Sequence, residues 1–396
     1  MVVIKSKIVE DVMSKSNQNS RRRKSKKAAR KKRNRIILFS IEFLVCIVVF
    51  IILWFTLKLG KIQTIDIGGF DEEANNGLEV DPLPPMNGKD SVPGYKLIAL
   101  FGVDSREGEL KQNTRSDTIM IACLNEQTKE IRLLSVYRDT YLNLSNDTYN
   151  KCNAAYSKGG GNQAIAMLNM NLDLNIDAYM TVGFKGLVDT VDSLGGVPID
   201  IHEDEIQHLN SYQSFIAGDL NRQNQFKPVT NTGLQTLTGL QACGYCRIRY
   251  TAGSDFKRTE RQRTVLTEML NQAKKMSLTQ VNDVANSAFP NIISSMDSKD
   301  ILKYVADYAD YKIGKKDGFP FEENRGVANV GKCGSCVIPL DLKTNVIKAH
   351  EFLFDETDYV PSETVIQCSE KIKEDTTSYL ADTDLMKLQN NTSSGN

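Results

Sequence analysis

Residues 36–57, Ile36 to Leu57, run for 22 positions with Glu42 as their only charge, and this segment divides the chain. Its length suits a single helix across a membrane. Before it stand Arg21-Arg22-Arg23-Lys24 and Arg30-Lys31-Lys32-Arg33. By the positive-inside rule, residues 1–35 form a basic cytoplasmic tail and the chain from residue 58 lies outside. Lys58-Leu59-Gly60-Lys61 makes a poor signal-peptidase site, so the segment reads as an uncleaved anchor embedded in membrane lipid.

Of 49 basic and 49 acidic residues, 14 and 3 fall in residues 1–57; the remaining 35 and 46 give the outer part a net charge of −11. Topology alone accounts for the basic tail, so no nucleic-acid partner is expected. Residues 58–94 contain Gly68-Gly69, Asn75-Asn76-Gly77 and prolines at 82, 84 and 85, the composition of a stalk. Residues 95–311 read as the main domain, 312–372 as an extension bearing a Cys-x-x-Cys, and 373–396 as a polar, disordered tail.

Within the main domain, Lys96 to Val103 is an almost unbroken apolar run, a buried strand. Thr118 to Leu124 and Glu130 to Val136 are strands joined by the turn Asn125-Glu126-Gln127-Thr128, hence an antiparallel hairpin. The start of the first and the end of the second share an edge, which puts Asp117 beside Arg138. Asp104 joins that edge if the Lys96–Val103 strand is a suitably oriented neighbour. Helices are expected over 163–174 and 186–194, the latter stopped by Gly195-Gly196, with strands over 178–184 and 197–201. Residues 203–232 read as a polar, irregular excursion, 234–242 as a helix, and 245–250 as a strand presenting Arg247 and Arg249 on one face. A helix follows from Ser254 or Asp255 to about Met276, with Val265, Leu266, Met269, Leu270 and Ala273 inward. Its periodicity places Arg258 and Gln262 on that same face near the N-terminus, where backbone N–H groups favour an anion. Further helices are expected over 298–311 and 345–354, separated by an irregular Cys-bearing stretch.

The charged motifs are Asp104-Ser105-Arg106, Arg115-Ser116-Asp117, Arg138-Asp139, Arg247-Ile248-Arg249, Asp255, Arg258 and Arg261-Gln262. Guanidinium forks bind phosphate oxygens bidentately, and carboxylates hold the magnesium that accompanies pyrophosphate. A diphosphate is the natural ligand of such a set, and the anchor suggests that a lipid carries it. The three histidines have no nucleophile partner motif, and Gly159-Gly160-Gly161 lacks the Lys-Ser/Thr of a phosphate loop. Of the paired cysteines, Cys333 and Cys336 are the candidates for a local disulfide, while Cys243 and Cys246 read as buried small hydrophobes.

Leu100-Phe-Gly-Val-Asp-Ser-Arg106, Arg115-Ser-Asp-Thr118, Leu134-Ser-Val-Tyr-Arg-Asp-Thr140, Lys151-Cys-Asn-Ala-Ala-Tyr156, Val188-Asp189 through Gly195-Gly196-Val197, and Arg247 to Gln262 together resemble the LytR-CpsA-Psr family of Gram-positive envelope enzymes. The resemblance covers residues 95–276. It implies an α/β (α+β) fold, a central, mostly antiparallel or mixed sheet flanked by helices, preceded by the transmembrane helix. It implies transfer of a glycopolymer, such as teichoic acid or capsule, from an undecaprenyl-diphosphate carrier to a peptidoglycan hydroxyl, with the lipid in an apolar tunnel. Carried over by motif, Asp104 and Asp117 are magnesium-site carboxylates. Arg115, Arg138, Arg247, Arg249, Arg258 and Gln262 are diphosphate ligands, with Arg106 and Arg261 beside them. Asp139 orients Arg138 or acts as a base. Tyr137 stands where the family usually has proline, and Cys243 and Cys246 occupy apolar positions.

Two other readings use the same features. A prenyl-diphosphate hydrolase needs the same residues with water as acceptor. A membrane-bound regulator acts through its basic tail, and then loss of residues 1–35 matters where loss of Asp117 does not.

Overall fold

Burial alternates along residues 95–103: Leu97, Ala99, Phe101 and Val103 are buried, while Ile98, Leu100 and Gly102 are only partly so. The apolar run is thus a strand with two apolar faces, of which one is sealed. The computed structural model describes residues 63–64, 92–104, 110, 114–250, 254–296, 304 and 307–393. The basic tail, the 36–57 segment, nearly all of the stalk and Arg106 lie outside the described residues.

The chain first forms β1 (Gln63–Thr64), β2 (Tyr95–Val103), β3 (Ser116–Asn125), β4 (Glu130–Val136), β5 (Tyr141–Asn143) and β6 (Tyr149–Lys151). Then come α1 (Asn153–Leu172), β7 (Tyr179–Val182), α2 (Phe184–Ser193), β8 (Val197–Ile201), α3 (Glu203–Asp219), β9 (Gly233–Leu237), α4 (Gly239–Tyr245) and α5 (Ser254–Ala273). The last third holds α6 (Leu278–Ala288), β10 (Ile292–Ser294), β11 (Lys312–Phe319), β12 (Arg325–Val330), β13 (Gly334–Pro339), α7 (Leu342–Phe354), α8 (Glu363–Thr376) and α9 (Asp382–Ser393).

Among the described residues, seven strands form one sheet in the order β1-β10-β7-β2-β3-β4-β11. It is mixed: β2–β3, β3–β4 and β7–β10 are antiparallel, while β1–β10, β2–β7 and β4–β11 are parallel. The sealed face packs on α1, α7 and α8, with Phe101 against Tyr156 and Tyr179 at ring distances of 5.3 and 6.0 Å. A second core joins α2, β8, β9, α3, α4 and α5 around Val191, Ile199, Leu209 and Val265.

In that second core α4 begins at Thr238, whose hydroxyl accepts from the Gln241 N–H. A Cβ on Gly239 would lie 2.2 Å from the Val188 carbonyl oxygen, so a side chain there would push α2 and α4 apart. Gly239→Ala is expected to destabilise the protein by about 3 kcal/mol, read as a lower urea midpoint at unchanged slope.

Several sequence expectations are corrected. Residues 203–219 are a helix, α3, whose N-terminus is closed by the His202 N–H donating to the Glu205 carboxylate at 3.0 Å. It is polar in composition but buries Leu209, Gln213, Ile216 and Ala217. The helix expected over 234–242 is split, because β9 pairs with β8 before α4 starts. Residues 245–250 are not a strand; they end α4 and turn. The chain beyond 311 supplies β11, which pairs with β4, and buried residues of the main core. The tail expected to be disordered instead finishes α8 and forms α9, with Leu380 buried and Leu385 and Leu388 packed on the core. Cys333 and Cys336 are unbridged, as are all seven described cysteines: Cys336 is committed to the core and Cys333 is half-buried. The helix expected over 298–311 falls mostly outside the described residues.

Candidate active site

The β3–β4 hairpin sets the first contact. Arg138 Nη1 donates to Asp117 Oδ1 at 2.6 Å. Gly102 pairs with Thr118 and Val103 with Ser116, which leaves Asp117 as the extra residue of a β-bulge. A bulge re-aims the side chain it carries. Asp104, just past β2, faces Arg247 at 3.6 Å, so β2 contributes to the same edge as expected. Arg249 lies 3.6 Å from Asp117 Oδ2 and 3.7 Å from Asp255. Arg258, on the first turns of α5, is 2% exposed; its Nη1 is 3.0 Å from Asp255 and its Nη2 donates weakly to the Asp117 carbonyl.

These groups surround a charged cavity of about 600 Å³ lined by Asp104, Thr114, Arg115, Asp117, Arg138, Tyr212, Arg247 and Arg249. A second cavity of about 310 Å³, mostly apolar, lies between the unsealed sheet face and helices α2, α4 and α5. Leu100, Met120, Met180, Phe184, Val265 and Met269 are among its walls. Arg258 and Gln262 belong to this second wall, and Asp117, Arg247 and Arg249 line both cavities.

Two expected site residues stand back from the charged cavity. Asp139 sits 3.4 Å from Arg138 Nε and 3.3 Å from Lys151 Nζ, which suits orienting Arg138. Arg261 is buried and turned away, paired with Glu205 at 2.7 Å and donating to the Ile248 carbonyl at 3.2 Å. It holds the turn that carries Arg247 and Arg249. The sequence reading missed Thr114, Tyr212 and Phe184; the Phe184 ring lies 4.5 Å from the Arg247 guanidinium carbon. Only an aromatic-flanked arginine pattern across distant segments would have signalled them.

Tyr137 uses an N–H that proline would lack to donate to the Phe319 carbonyl at 3.0 Å. Its ring meets Phe256 edge-on at 4.7 Å, and its hydroxyl accepts from Arg325 at 3.0 Å. Cys243 and Cys246 are buried, as expected, and burial pushes the Cys243 thiol up to about 12, which disfavours the thiolate.

Burial raises the Asp117 carboxyl, but Arg138, Arg258 and Arg249 more than offset it and hold it below the usual carboxylate range. Its stabilising contribution is therefore complete above the unfolded-chain value and is lost only as pH falls through the lower folded one. Burial and then Arg138 push Arg258 down to about 10. Among the described residues, Asp104 Oδ1, Arg138 Nε, Arg247 Nη1, Arg258 Nε and Gln262 Oε1 are buried without a hydrogen-bond partner. Such a concentration of unanswered polar atoms in one place marks a ligand site.

Among the described residues no three metal-ligating side chains converge. The two carboxylates on the charged cavity, with one Asp104 oxygen unpartnered, still fit magnesium, which is held by one or two carboxylates plus phosphate oxygens.

The LytR_cpsA_psr family model matches residues 72–327. The chain is 28% identical over 227 residues to polyisoprenyl-teichoic acid--peptidoglycan teichoic acid transferase TagT of Bacillus subtilis, a match covering 57% of this chain and 64% of that protein. It is 29% identical over 247 residues to the TagU protein of the same description from Oceanobacillus iheyensis, covering 60% and 69%. The match thus spans about two thirds of these relatives' own length. The crystal structure of Bacillus subtilis TagV aligns with a TM-score of 0.53 at 23% identity, over 67% of this chain and 98% of that one, and shares its fold.

Proposed function

The chain belongs to the LytR_cpsA_psr family, and from that premise we propose that it transfers a glycopolymer from a polyprenyl-diphosphate carrier to peptidoglycan. One observation carries the reading: the charged and apolar cavities share Asp117, Arg247 and Arg249 as a common wall. An amphiphile with a charged head and a hydrocarbon tail fits two such cavities end to end, and a diphosphate on a prenyl chain is such an amphiphile.

In this reading Arg115, Arg138, Arg247 and Arg249 grip the diphosphate oxygens, with Arg258 and Gln262 at the junction with the tail. Asp104 and Asp117 hold magnesium, which when bound neutralises charge on the phosphate oxygens. The acceptor hydroxyl attacks the phosphorus that bears the sugar, and the bond from that phosphorus to the bridging oxygen breaks. Prenyl monophosphate leaves, and the hydroxyl proton passes to solvent. Arg138, poised on Asp117 and steadied by Asp139, stabilises the charge that grows on the leaving phosphate. The 36–57 segment anchors the protein in membrane lipid with this site outside the cell, where both carrier and wall are found. The net charge of −11 outside the tail and anchor argues against nucleic acid.

The test uses the full-length protein in detergent, a prenyl-diphosphate-linked saccharide and peptidoglycan oligomers. Saccharide is expected on peptidoglycan, and chelation of magnesium is expected to reduce turnover by about tenfold or more. Prenyl phosphate released with no saccharide attached to any acceptor would identify a hydrolase. An intact lipid after prolonged incubation, with no measurable binding, would leave the tail-based regulator as the better account.

A further inference from the structure

Helix α3 carries His208, Tyr212 and Phe215 at spacings of four and three, so the three rings share one face. Tyr212 lines the charged cavity, and its ring and that of Phe215 each lie 5.4 Å from the Arg247 guanidinium carbon. Tyr250, just past Arg249, extends the row, its ring 5.8 Å from that of His208. Phe215 is 47% exposed and Tyr250 76%. Single exposed rings are ordinary on a protein surface; a row of them at the rim of a ligand cavity marks a contact surface.

We propose that this aromatic row is the subsite for the saccharide attached to the diphosphate, its pyranose rings stacking their C–H faces on Tyr212, Phe215 and Tyr250. The inference rests on the diphosphate reading of the charged cavity. The row is continuous with that cavity through Tyr212 and Arg247, so a group leaving the outer phosphate on this side meets it first. The electron-rich ring faces suit the polarised C–H bonds of a sugar. The adjoining face of α3 exposes Gln207, Ser211 and Ser214, which suit sugar hydroxyls. A membrane surface fits less well: α3 holds Glu203, Asp204, Glu205 and Asp219 and no lysine or arginine, whereas anionic lipid attracts basic segments.

Calorimetry on the full-length protein in detergent compares farnesyl diphosphate with the same lipid carrying N-acetylglucosamine on its outer phosphate. The ratio of the two affinities is read for the wild type and for Phe215→Ala/Tyr250→Ala. The saccharide is expected to tighten wild-type binding, and the double variant to lose about tenfold of that advantage. Affinity for bare farnesyl diphosphate serves as the internal reference for an intact site. The same ratio in both proteins would overturn the subsite while leaving the diphosphate reading standing. Failure of the wild type to bind either lipid would remove the diphosphate reading and the subsite with it. An unchanged ratio combined with loss of binding to phosphatidylglycerol vesicles would assign the row to the membrane instead.

Discussion

Exchange of Arg138 for alanine is expected to lower transfer by about a hundred- to a thousandfold, the effect of removing one well-placed donor from a developing anion. Burial works against its positive charge, but Asp117 and Asp139 hold the guanidinium firmly protonated. It is fixed at three points: Nη1 on Asp117, Nε near Asp139, and a backbone carbonyl that accepts from the Asn153 N–H at 3.1 Å. The folded state should barely register the change. Asp117 loses its closest partner but keeps Arg249 and Arg258 beside it, and Arg258 is relieved of the repulsion from Arg138. Gain and loss should offset to within about 1 kcal/mol. Steady-state transfer and thermal melting on the same preparation check both halves. A loss of about tenfold or less would mean that Arg138 does not touch the reacting phosphates.

Arg258→Met is expected to move stability and function in opposite directions. The wild-type guanidinium is 2% exposed, and its Nε has no hydrogen-bond partner among the described residues. Its lowered value means that the folded protein resists the charge more than the unfolded chain does. That cost is present throughout neutral pH and fades only as pH rises through about 10. Methionine has similar reach and no charge, and Asp255 retains solvent and Arg249 as neighbours. The variant should therefore be more stable by about 1–3 kcal/mol and hold a diphosphate less tightly. Added pyrophosphate should raise the wild-type melting temperature by more than that of the variant, because the variant has lost one of the guanidinium groups beside the anion. A variant that melts below the wild type without ligand would show that Arg258 is net stabilising.

How much of this could be read from the sequence depends on how local the cause was. The pairing of Asp117 with Arg138 needed only two strands and a short turn. The inward placement of Arg258 and Gln262 needed only the period of one helix. Arg247 and Arg249 reach the expected site by a different backbone, a turn after α4 held by Arg261, because a tertiary ion pair to Glu205 decides that conformation. α3 escaped notice because its few apolar residues become meaningful only against Gly244 and the rest of the second core, where a Cβ on that glycine would lie 2.9 Å from the Leu209 carbonyl. α9 was read as disordered for the same reason: Leu385 and Leu388 look stray until the main core is present to receive them. The two cavities have no local signature, since each is a space between elements far apart in the chain.

The bond between the Tyr137 N–H and the Phe319 carbonyl, and that between the Val337 N–H and the Asp139 carbonyl at 2.9 Å, clasp Arg138 from both sides. Both clasps come from the last fifth of the chain, and Val136 meets its β11 partner Phe319 across nearly half of the chain's length. Contacts of such long range form late, after the loop between them has been closed at an entropic cost. Every arginine and carboxylate of the site precedes these two clasps in the chain, so without them Arg138 has only Asp117, Asp139 and the Asn153 N–H to hold it. The C-terminal strands therefore complete the backbone frame around Arg138, although none of their residues lines the charged cavity.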